Sequence, residues 1–437
     1  MTEPVTVVGG GLAGCEAAWQ LARRGIAVRL REMKPRRYSA AHQSRDLAEL
    51  VCSNSLRSDR LHNAVGLLHA EMRALDSLIL QAADATRVPA GGALAVDRAA
   101  FSRHVTDALE SLPGVERVMG EVTRIPGGTV ILATGPLTSD ALATEIRSLC
   151  GEALYFYDSI SPIVYRDSLD ASRIFCASRY EDGEGDYWNL PLDRDAYDAF
   201  VRSLVRAETL PLHACEEPRY FEGCLPIEVM AERGLETLRF GPMKPVGLVD
   251  PRTGRVPHAV VQLRREDREG VLLNLVGFQT RMRIGAQKSV FRSLPGLERA
   301  VFARFGSMHR NTFICAPEWL DATMQHRARE GLYFAGQIAG VEGYVESAAL
   351  GLWVGVAVAH AVRDLALDPP PATSALGSLI RWLTQARPRG FQPMNVNFGL
   401  LPRLDGGRGR ASRRERNQRL GVRALADLGS WAQAVAP

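Results

Sequence analysis

The chain has 437 residues, 53 Lys and Arg against 49 Asp and Glu, and a formal net charge of +4. Apolar residues at 46% and charged residues at 23% exclude a disordered chain, and the length leaves room for two or three packed units. A net +4 over this length does not mark a nucleic-acid binder, and the longest apolar run, twelve residues at 348–359, is too short to span a bilayer.

The first four residues lead into a strand-like Val5–Val8 without a secretory signal, so a cytoplasmic chain with no membrane partner is expected. Val5-Thr-Val-Val then runs into Gly9-x-Gly11-x-x-Gly14. Residues 12–24 keep small or apolar side chains on one helical face, and residues 26–30 read as a second strand ending at Glu32. This is a dinucleotide-binding pattern. Gly9 permits a tight turn, Gly11 lets a pyrophosphate approach the backbone, and Gly14 packs helix on strand. Gly10, Leu12 and Ala13 complete the loop at the helix amino end, whose N–H groups favour phosphate. Glu32, 18 residues after Gly14, is placed for ribose hydroxyls, and its charge disfavours a 2′-phosphate there.

Residues 61–83 read as one helical stretch, and Asp97 as the N-cap of a helix over 99–109. Residues 115–125 read as extended, before a strand at 130–133 that ends Ala-Thr-Gly135. From 151 to 304 aromatics and turn signals increase, which predicts an inserted α+β substrate domain. Gly331-Leu-Tyr-Phe-Ala-Gly-Gln-Ile-Ala-Gly340 reads as a late strand breaking into a small-residue helix over 342–362. It resembles the second FAD motif of two-dinucleotide flavoproteins, with Gly336, Gln337 and Gly340 at the flavin side and a neutral Gln where many such enzymes have Asp. The fold class is thus α/β: a Rossmann-like FAD-binding domain in two segments, 1–150 and 305–437, around an inserted domain at 151–304.

Seven cysteines, at 15, 52, 150, 176, 215, 224 and 315, form no CxxC pair and fit reduced thiols. His213, Cys215 and Cys224 lie close in sequence, but no second ligand pair has metal-site spacing, so no metal is expected. The charge is uneven. Only Lys34, Lys244 and Lys288 are lysine, and residues 381–437 hold eleven Arg against three acids, a balance of +8, leaving −4 for the rest. Candidate phosphate contacts are Arg408, Arg410, Arg413 and Arg414 in this tail, with Arg281, Arg283 and Lys288 nearer the chemistry. A solvated helix face is the alternative for the tail arginines.

Two cysteines stand in unusual surroundings: Cys52 in Glu49-Leu-Val-Cys-Ser-Asn-Ser-Leu-Arg57, and Cys224 in Phe221-Glu-Gly-Cys-Leu-Pro-Ile-Glu228. A lone cysteine is most often a small buried hydrophobe. With these segments, residues 7–18, Phe240-Gly-Pro-Met-Lys-Pro-Val-Gly-Leu248, Gly277-Phe-Gln-Thr280, Met308-His-Arg-Asn-Thr312, residues 334–349 and Pro393-Met-Asn-Val-Asn-Phe398, the chain resembles the folate- and FAD-dependent tRNA uracil-5-methyltransferase family (TrmFO) over essentially its whole length. The resemblance implies T-loop 5-methyluridine as product, methylenetetrahydrofolate as carbon donor, NADH or NADPH as reductant, and Cys52 and Cys224 as the functional cysteines. Cys224 is then expected as the nucleophile at uracil C6, with Cys52 protecting or activating the flavin-borne carbon or assisting proton transfer. Glu222 and Glu228 are possible bases, each more readily read as a solvated acid. The rival readings are the wobble-uridine carboxymethylaminomethyl flavoproteins, a flavin reductase, which would want a CxxC pair, and a non-catalytic RNA-binding protein on an FAD scaffold. The oligomeric state is left open.

Overall fold

The computed structural model describes residues 3–151, 154–180, 185–210, 220, 225–404 and 412–437. A five-stranded parallel sheet is centred on Val5–Val8. On one side it pairs with Val28–Glu32 and then Val115–Met119; on the other with Val130–Leu132 and then Leu332–Phe334. Every residue of the central strand is buried, the pattern of a parallel strand covered on both faces. The last strand comes from some 200 residues beyond its neighbour, so this sheet is completed late in the chain.

The helix Leu12–Arg23 follows the central strand and packs against the helix Tyr344–Ala361. Small residues make the approach close: a Cβ on Gly351 would lie 2.2 Å from the Ala13 carbonyl oxygen, and one on Gly355 2.8 Å from that of Ala17. Tyr344–Ala361 is long and apolar enough to cross a membrane, with a mean hydropathy of 1.3, but 83% of it is buried within the protein.

A second sheet has six strands, in the order Phe175–Cys176, Trp188–Leu192, Ala259–Arg265, Leu272–Leu275, Ile163–Tyr165 and Phe302–Arg304, all antiparallel. It has its own core, with Phe200, Phe278 and Phe291 fully buried. The two-stranded ribbon of Leu154–Ile160 with Ser307–Phe313 occupies the chain positions that join the two cores. A small sheet of Ser55–Ser58, Ala93–Val96 and Arg87–Val88 carries the segment after Cys52.

The stretch read as one helix over 61–83 is two, Ala64–Ala74 and Leu78–Ala85. Asp76 between them takes a left-handed φ of 54°, and Ser77 caps the second helix through Leu80 N–H. The buried Glu16 carboxylate accepts from the Ser77 hydroxyl at 2.7 Å and from Ile79 N–H at 3.0 Å. A tertiary carboxylate fixes the break, and no local pattern announces it. Asp97 caps Arg98–Glu110 as expected, accepting from Ala100 N–H at 2.9 Å.

Candidate active site

A cleft runs along the carboxyl edge of the parallel sheet. That edge is where the chain leaves each strand and helix amino ends point inward, the usual ligand position in an open α/β sheet. The glycines divide their tasks. Gly9 has φ 107°, and a Cβ there would lie 2.4 Å from the Ala133 carbonyl oxygen. A Cβ on Gly14 would lie 1.8 Å from the Gly9 carbonyl oxygen, so the helix can start this close only with glycine. A Cβ on Gly11 would meet nothing within 4 Å. Its emptiness is directed outward, over the loop, where an approaching pyrophosphate would lie.

Gly9, Gly10, Gly11, Leu12, Ala13 and Glu32 line this cleft together with Gly336 and Gln337. Glu32 accepts from Gly10 N–H at 2.7 Å and Lys34 N–H at 2.9 Å, which fixes its carboxylate against the loop with lone pairs to spare. Gly336, at φ 79°, abuts Ala13 and joins the late motif to the first helix. Gln337 donates to Glu342 at 2.7 Å. Gly14 and Gly340 stand outside the lining: Gly340, at φ 92°, makes room for the Phe391 ring. The residues present therefore fit an extended dinucleotide, with an acid near one end and a neutral amide near the other.

Tyr344, at the start of the late helix, also lines the cleft, and its hydroxyl accepts from Cys52 N–H at 2.6 Å. This contact sets Cys52 beside the cleft. Its thiol donates to the Ser159 carbonyl at 3.6 Å, on the ribbon. The segment around it is held from several sides. Arg264 donates to Asn54 at 2.9 Å and Ser53 at 2.7 Å; Asn54 donates to the Val96 and Arg265 carbonyls, both at 2.8 Å. Arg57 pairs with the fully buried Glu346, which also accepts from Val396 N–H at 2.9 Å. The Pro393–Phe398 motif thereby closes on the late helix.

Positive charge gathers near the thiol. Arg98 is paired with Glu266 at 2.6 Å; burial opposes its charge, but the Glu266 carboxylate holds its pKa above the usual value. Burial and then Arg98 lower that of Arg304. Burial, Tyr344's largest influence, raises its phenol, and the Cys52 charge acts in the same direction. Burial and Lys34 lower His42, a cleft residue. Burial, Arg304 and His42 bring His309 on the ribbon down to about 4, so its ring is neutral at pH 7. None of these neighbours carries a sequence signal of its own. Three of them, Arg98, Arg304 and His42, lie in no motif quoted above; His309 and Tyr344 lie inside quoted segments but carry no spacing that marks them.

His309 gives a pH prediction. Its unfolded value is 6.5, so the unfolded chain binds more protons than the folded one between about pH 6.5 and 4, and stability falls as pH drops through that window. His309→Asn should flatten the pH dependence of the urea midpoint over this range. An unchanged pH dependence would mean that the ring protonates freely in the fold.

Cys224, Arg408 and Arg410 lie outside the described residues, as do Glu222, His213 and Cys215. Glu228 is not a solvated acid: it is 1% exposed, and burial raises its pKa. It accepts from the Thr280 hydroxyl and from Arg281 N–H, each at 2.8 Å. With Ile227 N–H donating to the Gln279 carbonyl at 2.7 Å, this pins the chain just after Cys224 to the 279–281 loop. Arg283 is exposed and pairs with Glu208 at 3.4 Å, while Lys288 lies 5.5 Å over the Phe305 ring. These residues belong to the unit of the second core, whereas Arg413 and Arg414 begin the helix Arg413–Ala434, whose Leu420 packs in the first. Among the described residues, no three metal-ligating side chains converge.

The sequence model of the glucose inhibited division protein A (GidA) family matches residues 4–366. The methylenetetrahydrofolate--tRNA-(uracil-5-)-methyltransferase TrmFO of Geobacter sulfurreducens is 57% identical over 437 residues, covering all of both chains. That of Lactobacillus delbrueckii subsp. bulgaricus is 52% identical over 433 residues, covering 99% of this chain and 98% of the relative. In fold, the chain is similar to Aquifex aeolicus GidA, with a TM-score of 0.71 at 17% identity over 99% of this chain and 73% of that one. The Gly-loop cleft, the paired glycine motifs and full-length identity above half converge on one assignment: the chain belongs to the GidA family and, within it, to the TrmFO group.

Proposed function

We propose that the chain makes 5-methyluridine in the T-loop of tRNA, taking the carbon from methylenetetrahydrofolate. The observation that carries this reading is the placement of Cys52. Its backbone is held by Tyr344, itself a wall of the dinucleotide cleft, which supports a thiol acting beside the cofactor.

The chemistry needs a nucleophile, because C5 of uracil attacks poorly. Cys224 adds as thiolate to C6, and the enolate so formed attacks the electrophilic methylene through C5; loss of the C5 proton then expels tetrahydrofolate, and the thiolate leaves C6 as the remaining methylene is reduced to methyl. Cys52 guards the one-carbon unit or relays the C5 proton, with Arg98 and Arg304 nearby. Glu228 is a positioning residue, because its carboxylate is already committed to Thr280 and Arg281. FAD, when bound, supplies the hydride that completes the methyl group. Gly9 to Ala13, Glu32, Gly336 and Gln337 would hold it, with Gly14 and Gly340 supporting the two turns. NADH or NADPH supplies the electrons, entering transiently, since the sequence has no second Gly-x-Gly-x-x-Gly loop for it.

Residues 1–150 and 305–437 form the FAD-binding domain in this reading, and 151–304 the inserted domain that meets the RNA. Arg281, Arg283 and Lys288 contact tRNA near the base, and Arg408, Arg410, Arg413 and Arg414 contact it further out. The reaction belongs to the cytoplasm and requires neither metal nor membrane.

Incubating the flavin-loaded protein with tRNA, labelled methylenetetrahydrofolate and NADPH or NADH should give labelled 5-methyluridine on nucleoside analysis. Flavin-loaded protein that oxidises the nicotinamide yet leaves the tRNA unlabelled would overturn the reading.

A further inference from the structure

A second, larger groove lies between the amino end of the helix Ala64–Ala74, residues 396–404, and the helix Arg413–Ala434. It is larger than the flavin cleft. Arg57, Arg403, Arg413, Arg416, Arg419 and His62 line it, and among the described residues no carboxylate does. Three of the arginines repeat every third residue along one flank of the helix, beside the buried Asn417 and Leu420 that fasten it to the body. Asn417 donates to the His62 carbonyl at 3.2 Å and so ties that helix to the opposite wall. The one acid in the first turn, Glu415, is spent in a capping box, accepting from Ser412 N–H at 2.8 Å. The arginines are thus presented from a fixed helix.

We propose that this groove binds the sugar–phosphate backbone of the tRNA and sets its register for the flavin cleft. The inference rests on the tRNA reading above and names the surface that would carry it. Guanidinium groups match phosphate oxygens in pairs. The half-buried Phe398 in the same lining offers a ring for base stacking, which favours nucleic acid over an acidic peptide.

Its inner end reaches the chemistry through Arg57. This residue takes a left-handed φ of 69°, faces the groove, and pairs with Glu346 in the first turn of the helix that carries Tyr344. It stands five positions after Cys52, so the two backbones lie at most about 18 Å apart. A strand with phosphates in the groove is therefore a few nucleotides from the thiol.

The test is tRNA binding by the flavin-loaded protein across a salt series. Arg413→Ala/Arg416→Ala/Arg419→Ala should weaken binding at least 10-fold and lower the slope of log K against log salt by roughly two to three. The corresponding triple Lys variant should keep most of the slope. An unchanged Kd and slope in the Ala variant, with flavin content and melting temperature intact, overturns the proposal. If the wild-type protein makes 5-methyluridine in that case, the enzymatic reading stands without the groove. If it makes none but loses salt-dependent tRNA binding with the three arginines, the groove stands and the enzymatic reading falls.

Discussion

Gly11→Val should give a folded, colourless protein. Gly11 is extended, with φ −80° and ψ −173°, which any residue adopts, and a Cβ there finds open space. No structural cost is expected beyond a few tenths of a kcal/mol. The added methyls would instead stand where the pyrophosphate must come against the loop, and FAD affinity should fall by about 100-fold or more, on the order of 3 kcal/mol. Gly14→Ala is the opposite control. Its Cβ would overlap the Gly9 carbonyl at 1.8 Å, well beyond the ~1–3 kcal/mol of ordinary overpacking, so the chain should fail to fold. Far-UV circular dichroism and flavin absorbance distinguish the two. A yellow Gly11→Val protein with wild-type FAD affinity would remove this loop from the cofactor site.

The cysteine variants should separate chemistry from stability in the same way. Cys52→Ala removes only a weak S–H contact at 3.6 Å, since Tyr344, Arg264 and Asn54 hold the segment through other groups. Its melting temperature should stay close to wild type, while 5-methyluridine formation should fall by roughly 10³-fold or more, as for other residues that act as a unit with a nucleophile. Cys224→Ala should abolish the covalent adduct with 5-fluorouracil-containing RNA. An undiminished adduct in Cys224→Ala, lost in Cys52→Ala, would move the nucleophile to Cys52.

The cofactor loop was legible because its physics is local. Strand, turn and helix amino end lie within about fifteen consecutive residues, and each glycine answers to a clash or an opening in that short span. The surroundings of Cys52 were not legible for the converse reason. Tyr344 reaches it across 292 residues, Arg264 holds Ser53 across 211, and Ser159 on the ribbon receives its thiol across 107. No periodicity encodes such meetings; they follow from the sheet order. The burial of Glu228 escapes a local reading on the same account, because its partners Thr280 and Arg281 arrive some fifty residues later. The break at Asp76 needed Glu16, 61 residues before Ser77.

The late completion of the parallel sheet has a consequence for biosynthesis. Until residues 332–361 leave the ribosome, Val130–Leu132 is an open sheet edge, and the small-residue face of Leu12–Arg23 lacks its partner helix. Roughly three-quarters of the polypeptide is then synthesised with its first core uncovered, while an eighteen-residue apolar helix is still to come. Chains cut short before that helix should be sticky and chaperone-dependent, whereas the antiparallel sheet of residues 163–304 can close on its own contacts beforehand.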